Sequence, residues 1–179
     1  MTCELRLWRR LLLEHLWNGW RAEYVQRGAG QGSGDKSVFS SILESDMPDD
    51  ESFIVRRGSR CFAILNAFPY SCGHVLVLPY REVGELELLD DDERAELWLM
   101  VQQAVSVLKD EYRPHGVNVG INLGAAAGGS ISQHLHVHVV PRWGGDSNFM
   151  VSVANTKILP EALTTTWERV SRRWSESAA

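Results

Sequence analysis

Residues 134–139 read His, Leu, His, Val, His, Val, and strict alternation of this kind marks a strand with two unlike faces. On one face Leu135, Val137 and Val139 are directed into an apolar core. On the other, His134, His136 and His138 would stand in a row about 7 Å apart on the solvent side. Three of the six histidines of the chain fall within these five residues, a concentration that an ordinary half-buried strand has no reason to carry.

The rest of the chain supplies partners for that strand. Phe53–Arg57 and Cys61–Asn66 read as two strands joined by a turn at Arg57, Gly58 and Ser59. His74–Tyr80 reads as a third, apolar on both faces through Val75, Leu76, Val77 and Leu78 and so central in a sheet. Val117–Leu123 and Gln133–Pro141 make a fourth and a fifth. Asp90–Tyr112 is the clearest helix: acids at its start suit the helix dipole, and Leu97, Met100, Val101, Ala104, Val107 and Leu108 form its apolar stripe. The links between strands are mostly too short for helical crossovers, which predicts an antiparallel α+β fold of about five strands with one long helix packed on it. Helices are expected at both ends as well. Leu5, Trp8, Leu12, Leu16 and Trp20 recur at helical spacing between Glu4 and Tyr24, and Trp167, Val170 and Trp174 share a side of Pro160–Trp174. The chain thus divides into an amphipathic helix and Gly-rich linker at 1–34, a domain proper at 35–160, and a C-terminal helix at 161–179. Trp98, Trp167 and Trp174 read as core or interface side chains, and His15 and His115 as surface or helix-end residues.

Composition narrows the ligand. The 179 residues carry a net charge of -5, with a pI near 5.7, so no basic field is available for a nucleic-acid backbone. A phosphate would have to be gripped locally, which favours a small molecule. Cys3, Cys61 and Cys72 are odd in number and form no C-x-x-C pair, so they build neither a disulfide framework nor a zinc clip. A reducing cytoplasm is expected. The run Leu11–Leu13 is flanked by Arg9, Arg10, Glu14 and His15, too short for a membrane span or a signal peptide.

Aligned imidazoles serve two chemistries. They bind transition metals, or one attacks phosphorus while a neighbour donates a hydrogen bond to the phosphoryl or leaving oxygen. Before the run lie Asn122, Leu123, Gly124 and then Gly128, Gly129 and Ser130, a loop of small residues whose free backbone N–H groups suit a phosphate nest. The nearest acids, Asp110, Glu111 and Asp146, stand at no obvious ligand spacing. The neighbourhood favours phosphorus chemistry, with a metal-binding module as the competing reading.

The string His134-Leu135-His136-Val137-His138-Val139-Val140 resembles the signature of the histidine triad (HIT) family of nucleotide hydrolases and transferases. Asn66, Pro69, Gly73 and His74 with the strand to Pro79 resemble that family's nucleoside-framing segment, and Asn122 with Gly128–Ser130 its phosphate-binding segment. Trp20, Arg21, Tyr24 and Val25, together with Pro141–Asp146, Asn148 and Phe149, look like the bacterial diadenosine tetraphosphate phosphorylase or hydrolase branch. The resemblance implies a HIT-like fold over 35–160. It makes His136 the nucleophile that forms a nucleotidyl-histidine intermediate, resolved by water or phosphate. His138 would bind phosphate oxygens and the leaving group, while His134 and a backbone carbonyl orient His136. Asn66 would contact the ribose and His74 the nucleotide end of the pocket; Asn122, Gly129, Ser130 and Gln133 would hold the phosphates. Trp143 and Asn148 are further candidate contacts.

It also implies a homodimer with a sheet continued across the interface, or a tetramer if the terminal helices add a second one. The expected substrate is an adenine nucleotide or dinucleoside polyphosphate. A nucleoside phosphoramidate hydrolase and a weakly catalytic nucleotide-binding protein are the alternatives. One departure from the family stands out. Where many bacterial members carry two cysteines and a histidine that, with the first triad histidine, bind structural zinc, this chain has Ser37, Ser40 and Glu82. Neutral hydroxyls are poor substitutes for thiolates, so no zinc or other cofactor is expected, and His134 is left for catalysis or support.

Overall fold

The computed structural model describes residues 36–129, 131–146 and 161–177. The helix expected over residues 4–24, the linker at 28–34, Ser130, Asn148 and Phe149 lie outside them. Helix α1 (Val38–Glu44) and the single turn α2 (Asp49–Ser52) lead into strands β1 (Ile54–Arg57), β2 (Cys61–Leu65) and β3 (Val75–Pro79). Helix α3 (Asp91–Tyr112) follows, then β4 (Gly116–Ile121), β5 (Val137–Arg142) and helix α4 (Leu163–Ser177). The five strands form one sheet in the order β1-β2-β3-β5-β4, and every neighbouring pair is antiparallel. This is the α+β architecture that the sequence predicts.

The two central strands are buried along their whole length, because both faces of the sheet are covered. On one face Ala63, Leu65, Val75, Val77, Val137 and Val139 pack with Leu97, Val101 and Leu108 of α3 and with Val170 and Trp174 of α4. On the other, Phe62, Ile64, Leu76 and Leu78 pack beneath Phe39 of α1. Helix α3 is anchored at its start by a capping box: Asp90 accepts from the Glu93 N–H and Glu93 from the Asp90 N–H. Arg81, just past β3, pairs with the same Glu93 carboxylate, so the helix start is tied to the central strand. One turn further along, the Glu96 carboxylate accepts the Ser59 and Arg60 N–H groups at 2.7 and 2.9 Å. It thereby clamps the β1–β2 hairpin against the helix. A Cβ at Gly58 would lie 1.9 Å from that carboxylate, which is why the turn carries glycine.

The histidine run departs from its expected form. The predicted fifth strand begins at Gln133, but the ladder starts at Val137, with Leu76 opposite His138 and Val77 opposite Val137. Leu135 N–H turns instead to the Val83 carbonyl at 2.7 Å, and residues 131–134 form a turn. Only His138 of the three lies in the strand. Nor do the imidazoles face solvent: His134 and His136 are buried, because α1 covers that face of the sheet. The apolar half of the alternation does hold, with Leu135, Val137 and Val139 in the α3 core.

Trp98 is 43% exposed, so it is not a core residue of this chain. Trp167 is half-buried and donates from Nε1 to the Ile54 carbonyl, and His115 is exposed, as expected. Trp174 is the largest fully buried side chain among the described residues and lies in the core that α4 shares with α3. Replacing it with Ala should cost about 3–5 kcal/mol of stability, read from the urea unfolding midpoint. A loss under about 1 kcal/mol would show that α4 docks by other means.

Candidate active site

His136 is held by its own neighbour. Its Nδ1 lies 2.8 Å from the His134 carbonyl oxygen, an acceptor only, so Nδ1 carries the hydrogen and Nε2 carries the lone pair. Phe39 of α1 packs against the ring with centroids 5.5 Å apart. Burial pushes the His136 pKa below the ordinary histidine value and so keeps the imidazole neutral.

The hydrogen of His138 is set from the opposite side. Tyr70 N–H donates to His74 Nδ1 at 3.0 Å, which leaves the hydrogen of a neutral His74 on Nε2. That Nε2–H donates to His138 Nδ1 at 3.0 Å, which leaves the hydrogen of a neutral His138 on its own Nε2. Asn122 Nδ2 stands 3.5 Å from that nitrogen, and turning the amide by 180° presents its Oδ1 to accept the hydrogen. The His136 and His138 rings lie with centroids 4.9 Å apart. Neighbouring rings thus carry a lone pair on one Nε2 and an N–H on the other, the pairing that a nucleophile and a hydrogen-bond donor require.

The other site residues fall into place unevenly. His74, expected at the nucleotide end of the pocket, is buried under His138 with both ring nitrogens engaged. Asn66 is half-buried beside it, its Nδ2 3.4 Å from His74 Nδ1 and its Oδ1 accepting from Phe68 N–H. Gly129 is buried, and Gln133 is exposed. Three donors of the glycine loop are engaged within it: the Ala127 and Gly129 N–H groups bond to the Gly124 carbonyl and that of Gly128 to Ala125. A 3-10 turn over Ala125–Ala127 causes this by folding the loop onto itself. Two residues escape the sequence reading. Tyr70, stacked on His138 at 5.7 Å, has as its only signal its place in the Pro69–Gly73 turn. Phe39 is flanked by Ser37 and Ser40, which the family comparison had already picked out.

His134 is not left free by the missing thiolates. Its Nε2–H donates to the Pro79 carbonyl and its Nδ1 accepts from the Ser37 hydroxyl, both at 2.8 Å. Ser37 N–H donates to both Glu82 oxygens at 2.9 and 3.0 Å, and the Ser40 hydroxyl donates to Glu82 Oε2. Burial alone would raise the Glu82 pKa, but the hydrogen bonds from Ser40 and Ser37 outweigh it and the net shift is downward. Ser37, Ser40, Glu82 and His134 therefore do come together, as a hydrogen-bonded cluster.

The sequence matches the family model of the HIT domain over residues 48–145. The chain belongs to the HIT family. It is 44% identical over 168 residues to a protein of Mycobacterium tuberculosis named AP-4-A phosphorylase, covering 91% of this chain and 85% of that one. It is also 37% identical over 81 residues to bis(5'-adenosyl)-triphosphatase of Dictyostelium discoideum, covering 45% of this chain and 54% of that one. Among solved structures, a Zn-bound histidine triad family protein from Mycobacterium smegmatis superposes with a TM-score of 0.64 at 25% identity, over 79% of this chain and 96% of that one. A hypothetical histidine triad nucleotide-binding protein from Sulfolobus tokodaii gives 0.63 at 26% identity, over 77% and 91%.

Against that Zn-bound HIT relative, the cluster around His134 is a poor zinc site. Two neutral hydroxyls, one carboxylate and one imidazole lack the thiolates that dominate structural zinc sites. Among the described residues no group of three or more His, Cys, Asp or Glu could hold a metal ion.

Burial lowers the pKa of both His134 and His136 from the ordinary 6.5. Below pH 6.5 the unfolded chain therefore takes up protons that the folded HIT domain refuses, and stability falls with pH in that window. The C2 protons of His134 and His136 should titrate with midpoints below the ordinary histidine value of about 6.5. Titration at or above 6.5 would contradict the burial argument.

Proposed function

We propose that this HIT protein cleaves dinucleoside polyphosphates of the diadenosine tetraphosphate type through a nucleotidyl-histidine on His136. The observation that carries the reading is the hydrogen bond from His136 Nδ1 to the His134 carbonyl, which leaves the unprotonated Nε2 beside the His138 Nε2–H. The names of the Mycobacterium tuberculosis and Dictyostelium relatives support the substrate class.

His136 Nε2 attacks the α-phosphorus, a P–N bond forms, and the P–O bond to the remaining polyphosphate breaks. His138 keeps its Nε2–H and hydrogen-bonds through it to the oxygen on which negative charge develops, so the polyphosphate leaves as an anion. Water or inorganic phosphate then attacks the same phosphorus, the P–N bond breaks with its electron pair returning to His136 Nε2, and the proton lost by an attacking water passes to solvent. Asn66 and Asn122, at the ends of β2 and β4, are the polar groups nearest the His74–His138 pair, and we assign them to the ribose and the phosphates. We assign Gly129, Ser130 and Gln133 to the phosphate side and Trp143 to the far nucleotide. His134 acts in support, through its carbonyl.

Intact-mass measurement after mixing with diadenosine tetraphosphate should show an adenylyl adduct that His136→Asn abolishes, with turnover reduced more than about a thousandfold. A full-strength adduct in that variant would overturn the assignment. Products separate the two acceptors: AMP with ATP reports water, and ADP with ATP reports phosphate.

The assembly reading is a homodimer across the β4 edge. Among the described residues strand β4 pairs with β5 alone, and its exposed row includes Val119 at 43%, an edge that a second chain can extend. Val119→Lys should shift the mass in light scattering from dimer to monomer, and an unchanged mass would place the interface elsewhere. Cys61 and Cys72 are free thiols, and no helix of the described residues is long and apolar enough to cross a membrane. The proposed location is the cytoplasm.

A further inference from the structure

The segment 37–40 touches the histidines in two ways at once. Phe39 packs edge-on against His134 at 5.6 Å and tilted against His136 at 5.5 Å. On either side of it, the two serines reach Glu82 and His134. The hydrogens of this cluster run in one direction. Pro79 O accepts only, so the His134 hydrogen is on Nε2 and Nδ1 must receive from Ser37. The Ser37 oxygen in turn accepts the Ser40 N–H at 3.1 Å, and the Ser40 hydroxyl is directed to Glu82. Ser37 and His134 are fully buried, so breaking the link between them strands a polar group away from water.

Strand β3 and the residues after it hold the histidine turn from below. The Pro79 carbonyl bonds to His134 directly, Glu82 reaches it through Ser37, and the Val83 carbonyl accepts Leu135 N–H. Gly84 lies so close that a Cβ there would be 2.5 Å from the Ser132 carbonyl oxygen. The His134 carbonyl, which holds His136 Nδ1–H, is therefore fixed through its own ring and through the next peptide.

We propose that Ser37 and Glu82 are positioning residues for His136: Glu82 seats Ser37, Ser37 fixes the His134 ring, and His134 thereby presents its carbonyl to the nucleophile. In this chain a one-way hydrogen-bond chain does the holding, with no metal. The proposal rests on the reading of His136 as nucleophile.

The test is the rate of adenylyl-adduct formation in rapid-quench experiments with diadenosine tetraphosphate, together with steady-state kcat and KM. Ser37→Ala and Glu82→Ala should slow adduct formation by about ten- to a hundredfold, with KM changed by less than about threefold. Glu82→Gln keeps an acceptor oxygen and should recover part of the rate. Long-range nitrogen NMR of the unsubstituted protein provides a readout that does not depend on the variants folding. It should show His134 with Nδ1 bare and His136 with Nδ1 protonated.

Rates within about twofold of the parent in both alanine variants, a His134 hydrogen on Nδ1, or stoichiometric zinc in the purified protein would each overturn the proposal. Absence of any adduct in the unsubstituted protein would overturn the underlying reading instead, so the two failures are distinct.

Discussion

The hydrogen bond from His136 Nδ1 to the His134 carbonyl is the contact on which the site depends. An imidazole is a nucleophile only at a nitrogen without hydrogen, and a carbonyl partner leaves no choice about which nitrogen that is. Making such a bond within two residues requires the backbone to leave the ladder before His136. The Leu135 N–H does so by turning to Val83. Strand β5 therefore starts at Val137 because the chain before it is shaped to hold the histidine.

Around that bond the fold divides its work between the two faces of the sheet. The α3 face is an apolar core of β-branched and leucine side chains that supplies rigidity. The opposite face is thinner, with Phe39 as its lid, and beside it lie His134, His136 and the Tyr70–His74–His138 chain. Covering the imidazoles with α1 lowers their proton affinity and keeps them neutral, which an open strand face would not do. The acidic surface does not oppose a polyphosphate ligand, because the groups assigned to it are neutral amides, imidazoles and backbone N–H groups.

Much of this was legible in the sequence. The both-faces apolar run in β3, the acid-led helix α3, the alternation of Leu135, Val137 and Val139 and the short links between strands pointed to an antiparallel α+β sheet, since each is a local pattern. The His-x-His-x-His string carried the family. Alternation, however, gives the face of a side chain and not what covers it. The burial of His134 and His136 depends on α1, nearly a hundred residues away in the chain, and no periodicity encodes that. Likewise a run of glycine and alanine shows that backbone is accessible, but whether its N–H groups are free depends on the loop's own turns, and here Ala125–Ala127 close on themselves. Tyr70 and His74 became a chain to His138 only once β3 lay beside β5. Ser37, Ser40 and Glu82 were visible as replacements for metal ligands, while their mutual hydrogen bonds were not.

The most direct test of the account is to locate the phosphorus on the trapped intermediate. With histidine labelled at its ring nitrogens, the adenylyl adduct of the acid-quenched or denatured protein should show phosphorus–nitrogen coupling to Nε2 of His136. Coupling to Nδ1 of His136, or to any other histidine, would contradict it.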